Sequence, residues 1–309
     1  MAISVGINKQ LGYKKETTWG VLPTASGGKL LRRVTGTFDL TKDSYESGEI
    51  RTDYQTQDFR HGVRKAEGTI SAELSPGSYA DFFAAALARA FTTGATSGTI
   101  ASMNLNATTK TMTRSAGSYL TDGFKVGDVV RATAFATASN NARNLLIVSL
   151  TATVLTYLVL DGGTLTTEAT ATNVVITVVG KKTFAPLTGH TDDSFTFEEW
   201  YPDIAQSEVF TGNKINTISV DLPPTGLTTC EFGLMGKDLA QTGTSQFFTT
   251  PSALGTSGIF AAVNGALIVN GVQSALVTGL NFSLNRNMTS EAVVGSNTVP
   301  DIFEGRIAI

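Results

Sequence analysis

Along much of the 309-residue chain, apolar residues alternate with polar ones, the period of a strand with one wet face. Val34 to Thr41 sets Val, Gly, Phe and Leu against Thr, Thr, Asp and Thr, and residues 65 to 74 alternate in the same way. The pattern returns over Ser194–Trp200, Ile215–Leu222, Thr228–Met235, Ala266–Val269, Leu276–Leu284 and Phe303–Ile309, with Pro223-Pro224-Thr225-Gly226 as a hairpin turn. One stretch departs from it. Tyr79, Phe82, Phe83, Ala86, Leu87 and Ala90 fall at helical spacing. Ser75-Pro76 ahead of them supplies an N-cap and a first-position proline, which predicts a helix of about four turns packed on a sheet. The Thr, Ser and Gly run between Gly236 and Gly258 reads as a loop.

Residues 93–185 read differently from their surroundings. Lys110–Arg114, Gly123–Val130, Leu145–Leu150, Val154–Leu160 and Val174–Val179 predict four or five strands, with turns at Asn140-Asn141 and Asp161-Gly162-Gly163. This is a small all-β barrel or sandwich inserted into a first domain made of residues 1–92 and 186–309. The length, at roughly 150 residues per domain, also gives about two domains. The expected fold is therefore mostly β, a sandwich with one flanking α-helix plus the inserted β domain.

Between the first two strands, Lys42 to Arg64 carries Asp43, Glu46, Glu49, Arg51, Asp53, Asp58, Arg60 and Arg64, interleaved with Tyr45, Tyr54 and Phe59. A solvated loop would carry such charge. Yet a connection longer than about 15 residues is uncommon in a compact domain unless it has a task. Mixed charge among aromatics suits a polar contact surface between subunits.

Charged residues make up 16% of the chain, against roughly 25% in an average soluble domain, and the difference is filled by Thr, Ser, Asn and 31 Gly. That composition favours short strands and turns. The net charge of -3 is unevenly spread: residues 1–90 hold 12 basic and 10 acidic side chains, 91–185 hold 7 and 4, and 186–309 hold 4 and 12. The last third, at -8, supplies no basic patch for gripping DNA. The single cysteine, Cys230, excludes an intrachain disulfide and reads as a small buried strand residue. No signal peptide and no apolar run of about 20 residues is seen, so cytoplasmic synthesis without membrane insertion is expected.

Candidate chemistry is sparse. Only His61 and His190 could serve acid-base or zinc schemes, and His190 with Asp192 and Asp193 reads as a cluster of solvated turn residues. Glu198 and Glu199 are adjacent on a strand, so they point to opposite faces and cannot act as a carboxylate pair. No nucleophile elbow, Walker loop, dinucleotide fingerprint or metal-ligand spacing occurs. No catalytic residue, metal or cofactor is expected, and the chain reads as a structural subunit.

The segment order resembles the tail tube protein family of long-tailed bacteriophages. The resemblance is carried by Tyr13 to Val21 with Pro23-Thr24, Ser47 to Asp53, Gly68 to Ser75 with the helix, Phe195 to Glu198, Asp203-Ile204, Val209 to Asn216, Phe232 to Lys237, Asn285 to Asn287 and Val293 to Ser296. It covers residues 10–91 and 190–309 and says least about the insertion. It implies a tail-tube-type β-sandwich, six copies closing into a ring, and rings stacking into a virion tail tube through which the genome is ejected. It further implies tail tip or baseplate, terminator and tape-measure proteins as partners, with DNA passing without specific binding. The 42–64 segment resembles the part that reaches a neighbouring ring. If the first hairpin and the 215–235 strands line the ring, parity puts Val34, Phe38, Leu40, Ile70, Leu74, Ile218, Val220, Leu222, Cys230, Phe232 and Leu234 on the buried face. Asp39, Glu67, Glu73, Asp221 and Glu231 then face the lumen among Thr and Ser, with Lys65 at one margin, a wall that repels phosphate. The insertion would face outward, since a lumenal domain of its size would block DNA. A non-tubular β interaction module, such as a virion decoration or adhesin subunit, is the alternative. A glycan hydrolase would need an acid pair in an aromatic cleft, and Trp19 and Trp200 both fall in core-domain segments.

Overall fold

The computed structural model describes residues 4–53, 55, 58–91, 93–179, 190–264, 267–269, 272–274 and 277–308. Tyr54 lies outside them, as do end residues of three expected strands, Ala266, Leu276 and Ile309. In chain order the elements are β1 (Gln10–Lys15), β2 (Lys29–Leu30), β3 (Thr35–Glu46), β4 (Phe59–Glu73) and α1 (Ala80–Ala86). Next come β5 (Met103–Asn106), β6 (Thr111–Arg114), β7 (Val129–Thr133), β8 (Leu145–Leu150), β9 (Val154–Val159), β10 (Glu168–Ala171) and β11 (Val175–Val178). The chain continues with β12 (Phe195–Tyr201), β13 (Gln206–Leu222), β14 (Thr229–Gly236) and β15 (Asp238–Gly243). It ends with β16 (Leu267–Val269), β17 (Val272–Ser274), β18 (Leu280–Asn285), β19 (Thr289–Ser290) and β20 (Ile302–Phe303). Two compact units divide these: Met1–Ala90, Leu187–Gly265 and Leu276–Ile309 form the first, Phe91–Pro186 and Ala266–Ala275 the second.

The first unit holds two large sheets that share a strand, besides the short pair of β19 and β20. One runs β2-β1-β12-β13-β15 and the other β3-β4-β14-β13-β18. The first half of β13 lies between β12 and β15, and its second half between β14 and β18. The change of sheet falls at Gly212, whose φ is 71°, and the pairing register shifts on both sides of it. Bulges bend a strand, and a bent strand that serves two sheets is how a sandwich turns a corner. A Cβ at residue 212 would stand 2.7 Å from that of Lys237, so only glycine fits there.

Sequence alternation misses the start of β13 because its middle is buried on both faces, which erases the period-2 signal. The strand begins at Gln206 rather than Ile215. Likewise β15 occupies part of the expected 236–258 loop, while the expected C-terminal strand shrinks to Ile302–Phe303 and one bridge between Asn285 and Ala308.

Between the sheets lies an aromatic core. Tyr13 and Phe82 have ring centroids 4.9 Å apart, as do Phe38 and Phe197, and Phe82 meets Phe232 edge-on at 5.3 Å. Truncating any one of these rings costs about 3–5 kcal/mol. Phe38 stands directly opposite Gly68, where a Cβ would be 2.9 Å from the ring, so the glycine lets the phenyl group lie across β4. Helix α1 closes this core with Phe82, Ala84, Ala85 and Ala86. It has seven residues, shorter than the spacing implied. The Ser75 hydroxyl is taken by that of Ser78 at 2.7 Å, Pro76 lies in the turn before the helix, and Tyr79 caps without a side-chain bond. At the other end Ala88 takes a φ of 50°, its N–H donating to the Ala85 carbonyl and that of Arg89 to Ala84, a Schellman closure.

In the second unit β16 and β17 pair separately, and β5 to β11 form one antiparallel sheet in the order β10-β5-β6-β9-β8-β7-β11. Its two edge strands are consecutive in sequence, joined only by residues 172–174. Such a link reaches at most about 14 Å, whereas seven strands laid flat extend about 29 Å. The sheet therefore curls round into a barrel, with Leu105, Met112, Val130, Ile147, Leu155 and Ile176 buried inside. Strands β5 and β10, four residues each, are absent from the sequence expectation.

Candidate functional site

The outer face of the β3-β4-β14-β13-β18 sheet is polar and open. Thr35, Ser71, Glu231, Ser219 and Ser283 stand in one row across its five strands, and Thr37, Thr69, Gly233, Thr217 and Asn285 in the next. Asp39 lies directly opposite Glu67, and Glu73, Thr229, Asp221 and Asn281 form another row. Asp39, Glu67, Asp221 and Glu231 are exposed, and Glu73 is half-buried. Among the described residues only Ser71, donating to Glu231 at 3.2 Å, answers these five carboxylates.

Beneath it, Phe38, Ile70, Ile218, Val220, Cys230, Phe232 and Leu234 are buried, and Leu40, Leu74 and Leu222 partly so, as parity implies. Val34 is the exception at 64% exposed, because it precedes the first paired residue of β3 and has left the sheet's alternation. Burial in this apolar layer pushes the Cys230 thiol up to about 12, which makes it an inert packing group.

The other sheet has a polar outer face too, but it is covered. Glu16, Ser194, Thr196, Glu198, Ser207 and Thr211 are all buried there. Glu16 accepts from the hydroxyls of Ser194 at 2.6 Å and Thr196 at 2.7 Å, and from the N–H groups of Gly20 and Gly212 at 2.8 Å. Trp19 donates its indole N–H to the Gly212 carbonyl at 3.0 Å, so the Glu16-to-Gly20 turn fastens the corner of β13. Glu198 accepts from the Ser207 hydroxyl at 2.7 Å and from the backbone N–H groups of Phe247 and Phe248. It thereby holds down the segment after β15, whose Phe248 is fully buried against Gly12 and Gly28. On the opposite side of β12, Glu199 pairs with Lys9 and accepts from Tyr201, and burial pushes its carboxyl upward. Sequence reasoning separated Glu198 from Glu199 but missed that both are buried anchors. The signal was the unbroken run of charge inside an aromatic strand.

About half of the segment read as a long contact loop is strand. β3 runs on to Glu46 and β4 starts at Phe59, so only residues 47–58 connect them. Past Ala66, where β14 ends, the two strands continue as a two-stranded ribbon. Asp43, Tyr45, Glu46, Glu49, Arg51, Asp53, Asp58, Phe59 and Arg60 are exposed on it. Part of the charge is spent locally, Arg60 on Asp58 at 2.9 Å and Arg51 on Asp53 at 3.5 Å. Arg64 is half-buried and tied to Asp238 at 2.7 Å, with its N–H on the Asn297 carbonyl, so it belongs to the ribbon's base. Ile50, at the tip and fully exposed, escaped the sequence reading.

His61 and His190 are both exposed, the former edge-on to Phe59. Asp192 and Asp193 are ion-pair partners rather than free turn residues: Lys214, itself buried, bonds Asp192 at 2.6 Å and Asp301 at 3.1 Å, and Lys15 bonds Asp193. Among the described residues, no three His, Cys, Asp or Glu side chains are grouped to hold a metal ion, and no helix is long and apolar enough to cross a membrane.

The first unit thus combines a bare acidic face with a projecting ribbon. A family model described as phage tail tube protein matches residues 6–309. The chain belongs to that family. No curated protein matches it. A phage tail tube protein is a structural component of the virion tail that self-assembles into a tube with other tail proteins. The match runs through residues 93–185 as well, so the insertion falls within the family's span rather than outside the resemblance.

Proposed function

We propose that six copies close into a ring through the edges of the β3-β4-β14-β13-β18 sheet, and that such rings stack into a conduit for genome ejection. The carrying observation is that this sheet is apolar beneath, acid and hydroxyl-bearing above, and ends at β3 and at β18, whose outer side meets only Ala308, in a single bridge, among the described residues. Natural proteins normally blunt such edges with charge or proline. Here the edges instead carry exposed apolar side chains, Val34 at 64% just before β3, and Leu280 at 46% and Phe282 at 39% on β18. Strand addition by a sibling chain would cover them. Asp39, Glu67, Glu73, Asp221 and Glu231 would then line the lumen, where negative charge keeps phosphate from settling on the wall. The ribbon with Asp43 to Arg60 would reach the next ring, and residues 93–185 would lie outside the tube.

Negative-stain imaging of the purified chain tests this. Rings with six-fold averages, stacked into filaments, are expected. A monodisperse monomer at high concentration would overturn it.

A further inference from the structure

Lys214 is the only buried lysine among the described residues, and it lies in the stretch of β13 that is covered on both faces. An ammonium group taken out of water is costly unless its surroundings replace the water. Here each of its three protons has an acceptor: Asp192 at 2.6 Å, Asp301 at 3.1 Å and the Ile302 carbonyl at 2.9 Å. The Trp19 ring stands beside the same nitrogen, its centroid 5.8 Å away. The two carboxylates are not equivalent. Asp192 holds the shorter bond to the nitrogen, whereas Asp301 Oδ1 also accepts the backbone N–H of Ile302 at 2.7 Å. An enclosed amine, a proton acceptor and a carboxyl group polarised by a backbone donor thus meet within hydrogen-bond reach, which is what acyl transfer to an amine requires.

We propose that Lys214 and Asp301 condense into an amide bond between their side chains, with Asp192 as the proton carrier. Asp192 takes one ammonium proton and relays it to Asp301 Oδ2. The freed Nζ attacks Cγ, and the negative charge that develops on Oδ1 meets the Ile302 N–H. A second Nζ proton follows the same route, the Cγ–Oδ2 bond breaks and Oδ2 leaves as water. Ammonium and carboxylate become amide and water, Asp192 ends as it began, and no other reactant is consumed. Both charges vanish from the site, and the remaining amide N–H keeps the Ile302 carbonyl as its acceptor. The Asp192 and Asp301 side chains are 51% and 46% exposed, which gives the expelled water a way out. Groups fixed in this way react as though present at about 10⁵ M or more, which favours condensation even in water. The bond would join β13 to the C-terminal segment 87 residues on. It is a property of the single chain and stands or falls apart from the tube.

The test is the intact mass of the unsubstituted chain under denaturing conditions, followed by a tryptic map. A mass one water below that of the sequence is expected, with a branched peptide joining Lys214 to Asp301 and no cleavage after Lys214. Lys214→Arg keeps a cation at the site and cannot condense in this way, so it should show the full mass. Asp192→Asn removes the proton carrier, worth about a hundredfold or more in rate, and freshly made protein should keep the full mass. An unsubstituted chain of full mass, cut after Lys214, would mean an ion pair only and would overturn the proposal. A branch to Asp192 would overturn it too, as would loss of water from Asp192→Asn as complete as in the unsubstituted chain.

Discussion

The two sheets of the first unit present polar outer faces of similar composition and opposite treatment. On the β1-β12 side, the chain folds its own segments over Glu16 and Glu198 and answers each carboxylate oxygen with hydroxyl or backbone donors. On the β3-β4 side, four carboxylates stand in the open beside the half-buried Glu73, and among the described residues one hydroxyl answers one of them. Burying an ionised carboxylate costs far more than leaving it in water unless donors replace the water. The covered face is therefore a folding device, whereas the bare face contributes little to the fold. A surface that the fold does not need, yet which keeps one sign of charge, is available for what lies outside the chain.

That contrast can be broken most severely at Glu16. Glu16→Ala strands two hydroxyls and two N–H groups beneath the cover, and a loss of about 3–5 kcal/mol is expected in the urea unfolding midpoint. A loss below about 1 kcal/mol would show that water enters and that the face is not sealed. Phe248→Ala should cost about 3 kcal/mol and also admit protease within residues 244–258, read as a new early fragment in limited digestion. By comparison, Glu231→Gln on the bare face should stay within about 0.5 kcal/mol of the unsubstituted chain.

Alkaline titration sharpens the distinction from the inside. Burial pushes Cys230 up to about 12 from 9.0 and Tyr79 up to about 12 from 10.0. A group whose pKa is raised on folding supports the fold fully below its unfolded value and loses that support as pH climbs towards the folded one. The share of stability carried by these two groups should thus be level below about pH 9 and fall between about 9 and 12, followed by circular dichroism. A small effect of the opposite sign is expected at Asp39, where relief of the like-charge pair with Glu67 by Asp39→Asn should stabilise by a few tenths of a kcal/mol.

The bare face was legible in the sequence and the covered one was not. Alternation places Phe38, Ile70, Ile218, Cys230 and Phe232 inside and Asp39, Glu67 and Glu231 outside because that sheet has one wet side. Over Phe195–Glu199 all five residues are buried, so the alternation of residue types there separates two buried faces rather than inside from outside. Glu16 and Glu198 then look like solvent-facing acids, since nothing local reveals that a segment some 50 residues downstream, in the case of Glu198, will cover them. The ribbon shows a related limit. Polar residues on both faces hid its strand character, because a strand free of the core has no face to keep apolar.

One consequence of the shared strand β13 is mechanical. Its first half is bonded laterally to β12 and β15 and its second half to β14 and β18, so a pull applied at either end loads four neighbours in shear rather than unzipping one pair at a time. Tension entering one sheet passes through the backbone at Gly212 to the other, and neither layer can slide away without rupturing both sets of ladder bonds.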